Sequence, residues 1–263
     1  MQQKQPIGIF DSGVGGLNLW KPIQELLPQE NTIYIADNAF SPYGKRSKDE
    51  IISRTFQVVE SLIKKECKLI VVACNTATTN AIDKLREKFD LPFVGIEPAL
   101  KPAALQSQTK TIGVLATQGT LSSKLFEKTS HTHAQGIKVV EQIGTGLVTA
   151  IEENGLETPA LKTLLSNHLK PMLEQNIDRL VLGCTHYPYL VPLLEELLPP
   201  QVVVVDNSMA IAKQTQYLLE RNKLQNPAQN SKAEHLFYCT GNEAQLKAFL
   251  PKGTPVEQLR VGQ

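Results

Sequence analysis

Short runs of β-branched and aliphatic residues alternate with amphipathic helical stretches along almost the whole chain, and this alternation restricts the fold more than any other feature. Ile7–Phe10, Thr32–Ala36, Leu69–Ala73, Phe93–Ile96, Thr111–Leu115, Lys138–Ile143, Arg179–Gly183 and Val202–Val205 read as strands. In the first long helical stretch, Ile51, Ile52, Phe56, Val59, Leu62 and Ile63 form one apolar stripe. Stretches 80–89, 120–128, 161–169 and 188–198 show the same period. Strands alternating with helices predict an α/β fold with mostly parallel sheets, whose sites lie at the carboxyl ends of the strands.

A faint repeat sharpens that expectation. Ile7–Gly13 (IGIFDSG) resembles Ile112–Gln118 (IGVLATQ), and each is followed by a strand that ends in a cysteine. Ile7 precedes Cys74 by 67 positions, and Ile112 precedes Cys184 by 72. Two pseudo-symmetric α/β halves, 1–97 and 98–206, would place the two thiols across one cleft. Pro98, Pro102 and residues 205–210 mark the crossings, and 207–263 is expected to pack back on the first half.

Composition closes off other classes. The chain of 263 residues is 20% charged with a formal net charge of +1, so no basic face points to nucleic acid. It has no leader-like segment and no apolar run near the roughly 18 residues of a membrane helix. A cytoplasmic protein without a membrane or nucleic-acid partner is expected. The four cysteines at 67, 74, 184 and 239 form no C-x-x-C pair, which predicts free thiols.

Asp11–Asn18 (DSGVGGLN) is glycine-rich after a strand, but Asn18 stands where a dinucleotide fingerprint needs its third glycine. Residues 43–47 (YGKRS) resemble the tail of a phosphate-binding loop that lacks its first glycine, since Ala39 stands there. Tight turns presenting Asp11 and Ser12 explain these glycines better than a nucleotide.

Cys74 and Cys184 each fall at a strand tip before a helix start. Asn75 and Thr76 at one site and Thr185 at the other are capping residue types. A thiol facing a helix N-terminus is favoured as thiolate, and the free amides there can hold a carboxylate. Cys67 and Cys239 read as packing. His186 is placed to exchange a proton with Cys184, and Asp11 is the corresponding acid near Cys74. His131 and His133 read as a solvated loop, and Glu152 and Glu153 as charges at a helix end. A hydrolase built on Cys184 and His186 would leave the second cysteine idle, and a redox pair would want the thiols bonded or adjacent. A binding protein with incidental thiols is a further alternative. Removing a proton from a stereocentre and returning one to the opposite face uses both thiols.

The motifs IGIFDSGVGGL, YIADNAFSPYG, VVACNTATT, GIEPA, IGVLATQGT, LGCTHYPYL and VDNS occur in this order along the chain. Together they resemble the glutamate racemases, cofactor-independent enzymes that supply D-glutamate for the bacterial cell wall. The nearest relatives of that family act on aspartate or hydantoins. The resemblance implies that Cys74 acts on D-glutamate and Cys184 on L-glutamate, assisted by Asp11 and His186, with Glu152 supporting the histidine. It implies substrate contacts from Asp11, Ser12, Pro42, Tyr43, Gly44, Asn75, Thr76, Thr117, Thr185 and His186, with no metal and no cofactor. It also implies a cytoplasmic homodimer. Some members carry an N-terminal extension tied to activation by a peptidoglycan precursor, which is not expected for a chain whose first strand begins at Ile7.

Overall fold

The computed structural model describes residues 2–227 and 233–262, excepting the side chain of Asn154. Among the described residues ten strands make two parallel sheets. β1 (Ile7–Asp11), β2 (Thr32–Ala36), β3 (Leu69–Val72) and β4 (Phe93–Gly95) lie in the first sheet with β9 (His235–Cys239) and β10 (Glu257–Gln258), in the order β10-β9-β2-β1-β3-β4. β5 (Thr111–Ala116), β6 (Lys138–Ile143), β7 (Arg179–Gly183) and β8 (Val203–Val205) form the second, in the order β6-β5-β7-β8. The expected α/β class is therefore observed. The repeat is real at the level of topology, since in both sheets the first strand lies between the second and the third.

Every central strand is buried on both faces, as parallel sheets require. Along β1, Ile7 and Ile9 pack under helices Leu17–Leu26 and Ser208–Arg221, while Phe10 faces helices Lys48–Lys64 and Asn75–Lys88. β3 repeats this, with Leu69 and Val71 on one face and Ile70 and Val72 on the other. A Cβ on Gly8 would sit 3.0 Å from the Cys67 sulfur and 3.1 Å from Leu62, so the glycine makes room for the packing role expected of Cys67.

Some local expectations are corrected. The buried stripe of helix Lys48–Lys64 runs through Ile51, Thr55, Val58, Val59 and Leu62, whereas Ile52, Phe56 and Ile63 are only partly covered. Its start is fixed by a capping box in which Ser47 and Glu50 satisfy each other's amides. Stretch 120–128 is not one helix. Ser123 accepts the Phe126 amide and starts a new helix, Lys124–His133, after the short turn Gln118–Leu121. His131 and His133 therefore occupy the exposed last turn of a helix rather than a loop. The polar rise from Ser130 onward hid that turn.

Candidate active site

The carboxyl edges of the two sheets meet, and each supplies residues from the same two places. In open parallel sheets the crevice opens where neighbouring strands send their connections to opposite faces. That point lies between β1 and β3 in one sheet and between β5 and β7 in the other. Asp11 and Ser12 lie at the tip of β1, and Cys74 follows β3. Thr117 follows β5, and Cys184 follows β7. Ser12, Pro42, Tyr43, Gly44, Cys74, Asn75, Thr76, Thr117, Cys184, Thr185 and His186 line one cavity of about 20 Å³.

Two of the expected residues stand behind that lining. Asp11 is fully buried and turns its carboxylate to the Gly13 amide at 2.9 Å and the Thr185 hydroxyl at 3.0 Å. Glu152 accepts from His186 Nε2 at 2.7 Å, while Glu153 is exposed on the same helix. Of the doublet, it is Glu152 that faces the imidazole.

The glycines of DSGVGG serve this junction in a way the motif alone did not reveal. A Cβ on Gly13 would meet Glu152 Oε1 at 2.1 Å, and one on Gly15 would meet His186 Nδ1 at 2.6 Å. The loop is stripped of side chains so that the second sheet's acid–imidazole pair can lie against it. Further polar links stitch the seam. Asn18 donates to the Thr185 carbonyl at 3.0 Å, Tyr189 to the Val14 carbonyl at 3.1 Å, and the Thr76 and Thr117 hydroxyls meet at 2.8 Å.

The two thiols have different neighbours. Cys74 is itself the N-cap of helix Asn75–Lys88, so Asn75 and Thr76 are its first helical residues and not caps. The Cys74 thiol donates to the Ser12 hydroxyl at 3.5 Å. Burial, followed by the charge of Asp11, pushes this thiol up to about 12, against the weaker pull of Ser12 and the Ala77 amide. In the closed cavity burial therefore outweighs the expected preference for thiolate at a helix N-terminus. Asp11 is also raised above the usual carboxylate range by burial, with His186 opposing.

Cys184 precedes a 3-10 turn, Tyr187–Leu190, and its sulfur lies 3.8 Å from His186 Nδ1. Thr185 caps nothing, because its hydroxyl is committed to Asp11. Burial works against a charge on His186, but hydrogen bonds to Cys184 and Glu152, and their charges, raise it well above the ordinary histidine range. As imidazolium it donates from both nitrogens, one toward the sulfur and one to the carboxylate.

Both amide atoms of Asn75 are buried without a partner beside the cavity, a state that a ligand's polar groups would relieve. Val148 also lines the cavity and was missed in the sequence. It precedes Glu152 by four residues, so the two share a helix face and either predicts the other.

Residues 19–215 match the family model described as Asp/Glu/Hydantoin racemase. A glutamate racemase from Ectopseudomonas mendocina is 42% identical over 253 residues, 95% of each chain. The crystal structure of a glutamate racemase isoform from Bacillus anthracis superposes with a TM-score of 0.89 at 32% identity over 98% of both chains. A Francisella tularensis glutamate racemase, solved in complex with D-glutamate, gives 0.86 at 30% identity over 98% of both chains. With a fold and relatives that agree over nearly all of its length, the chain belongs to the Asp/Glu/hydantoin racemase family and, within it, to the glutamate racemases.

Proposed function

We propose that the protein interconverts L- and D-glutamate by a two-base proton transfer in which Cys184 and Cys74 work from opposite faces of Cα. The observation that carries this reading is the placement of two thiols at topologically equivalent strand tips of two sheets, lining one cavity, with His186 beside Cys184 and Asp11 buried behind the Cys74 side. In the L-to-D direction Cys184 as thiolate takes the α-proton, and the Cys74 thiol delivers its proton to the other face. Cys184 ends as thiol and Cys74 as thiolate. His186 and Asp11 then restore the starting protonation by exchange with water. The reverse direction runs the same steps backwards.

The α-proton of an amino acid is far less acidic than a thiol, so most of the catalysis lies in stabilising the carbanion. The amides at the start of helix Asn75–Lys88, the Asn75 side chain and the hydroxyls of Thr76 and Thr117 are the donors available for the substrate carboxylates, with Thr185 lining the cavity beside them. Ser12 and the Pro42–Gly44 turn complete the contacts. The substrate assignment rests on the relatives, one of which was solved with D-glutamate. A cavity of about 20 Å³ holds a water but not an amino acid, so binding requires the seam to part and reclose over substrate. Closure then removes water from the reacting groups.

No helix among the described residues is long and apolar enough to cross a membrane. We further propose a cytoplasmic, cofactor-independent homodimer that supplies D-glutamate for peptidoglycan synthesis. Incubation with L-glutamate or L-aspartate, with no added cofactor, tests the function: circular dichroism should decay to zero with glutamate and stay constant with aspartate. Loss of signal with aspartate alone would move the assignment to a neighbouring member of the family.

A further inference from the structure

Asp37 follows β2 directly and is fully buried, yet it does not line the catalytic cavity. Its carboxylate receives donors from three other parts of the chain. Arg54, on helix Lys48–Lys64, grips it with two nitrogens, Nε to Oδ2 at 2.8 Å and Nη2 to Oδ1 at 2.7 Å. The Tyr43 hydroxyl donates to Oδ2 at 2.6 Å. The Thr240 hydroxyl, just beyond β9, donates to Oδ1 at 2.7 Å. The Asp37 amide donates in turn to the Asp11 carbonyl at 2.8 Å, at the tip of β1.

Tyr43 is the link between this network and the chemistry. It lines the cavity, but its hydroxyl is turned away to Asp37, so it offers a ligand its ring and backbone and not its O–H. The adjoining Gly44 lies against the second sheet so closely that a Cβ there would stand 2.7 Å from Thr117 Cβ. Pro42–Gly44 is thus a lip across which the two halves meet, and it is held from behind. A bidentate guanidinium and two hydroxyls saturate the carboxylate, which makes the anchor directional and rigid. Arg54 also donates from Nη1 to the Val261 carbonyl at 3.5 Å, which ties the end of the chain to the same carboxylate.

We propose that Asp37 is a positioning residue that fixes the Pro42–Gly44 lip for substrate, and that Thr240 and Arg54 connect this lip to the C-terminal segment. The proposal rests on the racemase reading of the cavity. It assigns the returning C-terminal segment a part in substrate binding, although none of its described residues lines the cavity.

The test measures kcat and KM for both enantiomers, with thermal melting alongside, in wild type, Asp37→Asn, Thr240→Val and Thr240→Ser. Asp37→Asn should raise KM about 10-fold in both directions with kcat within about 3-fold of wild type, because a misplaced lip weakens binding and leaves the thiols in place. Thr240→Val should raise KM by about 3-fold, and Thr240→Ser, which keeps the hydroxyl, should restore it. A purely structural role would lower the melting temperature and leave KM unchanged in the folded fraction. Unchanged KM in folded Asp37→Asn, or a loss confined to kcat, overturns the proposal. If Asp37→Asn does not fold, Thr240→Val decides alone: wild-type KM there overturns it. Wild-type turnover is measured first, and its absence would sink the substrate reading and this proposal with it. Normal wild-type turnover beside unchanged variants sinks this proposal alone.

Discussion

The Cys74 side and the Cys184 side of the cavity occupy the same place in two sheets of the same strand order, yet they are built from different chemistry. Cys74 caps a helix of 14 residues, where burial and the charge of Asp11 disfavour its anion against the weaker support of the Ser12 hydroxyl. Cys184 precedes a short 3-10 turn and has an imidazole beside it, itself held by Glu152. The repeat positions the two sulfurs, and their different neighbours bias where a proton is held. Burial biases Cys74 toward the thiol, and the hydrogen bonds to Cys184 and Glu152 bias His186 toward the imidazolium despite its burial. This asymmetry costs the reaction nothing in direction. Enantiomers have equal free energy in water, so kcat/KM is the same both ways in every variant. Any asymmetry must show in kcat, in KM and in isotope effects.

The largest expected effect breaks either side outright. Cys74→Ala and Cys184→Ala should each lower racemisation by at least about 10²–10⁴-fold, with melting curves close to wild type. A variant retaining wild-type turnover would reduce the mechanism to one thiol. Next come the proton partners. Asp11→Asn and His186→Asn should each lower kcat by about 10²-fold. With α-deuterated substrates, the isotope effect should grow more for D-glutamate in the Asp11 variant and more for L-glutamate in the His186 variant. Equal growth in both would remove the assignment of one partner to each thiol.

A smaller effect concerns Glu152. The raised His186 value means that its pairing with Glu152 adds stability fully present below the unfolded histidine pKa and lost as pH rises through the folded one. Glu152→Gln should cost about 1–3 kcal/mol at about pH 6 and progressively less at alkaline pH. In NMR titrations it should also move the His186 midpoint down toward the ordinary range. A cost independent of pH would mean that the pair is not ionic. The smallest effect is the control: Cys67→Ala should cost about 1 kcal/mol and leave kinetics alone, since this thiol is packed in the core of the first half and does not line the cavity that holds Cys74 and Cys184.

Most strands were legible because parallel strands buried on both faces leave continuous apolar runs, and these ended within about a residue of the observed bounds. The topological repeat was legible because Ile7–Gly13 and Ile112–Gln118 begin equivalent central strands. What escaped was whatever depends on the two halves meeting. The purpose of Gly13 and Gly15 lies in Glu152 and His186, which are more than a hundred residues away. The Asp37 network joins residues 43, 54 and 240 to one carboxylate, and no local period encodes it. The Cys74 preference was misjudged because a helix N-terminus can be read in sequence, whereas the depth of burial cannot.

The most direct test of the two-base mechanism is deuterium incorporation at low conversion. L-glutamate is incubated with enzyme in heavy water, the enantiomers are separated, and Cα deuterium is read in each. With two bases on opposite faces, D-glutamate product carries one solvent deuteron and recovered L-glutamate stays protiated. Comparable deuterium in recovered substrate and product would mean that a single base serves both faces, contrary to the proposed roles of Cys74 and Cys184.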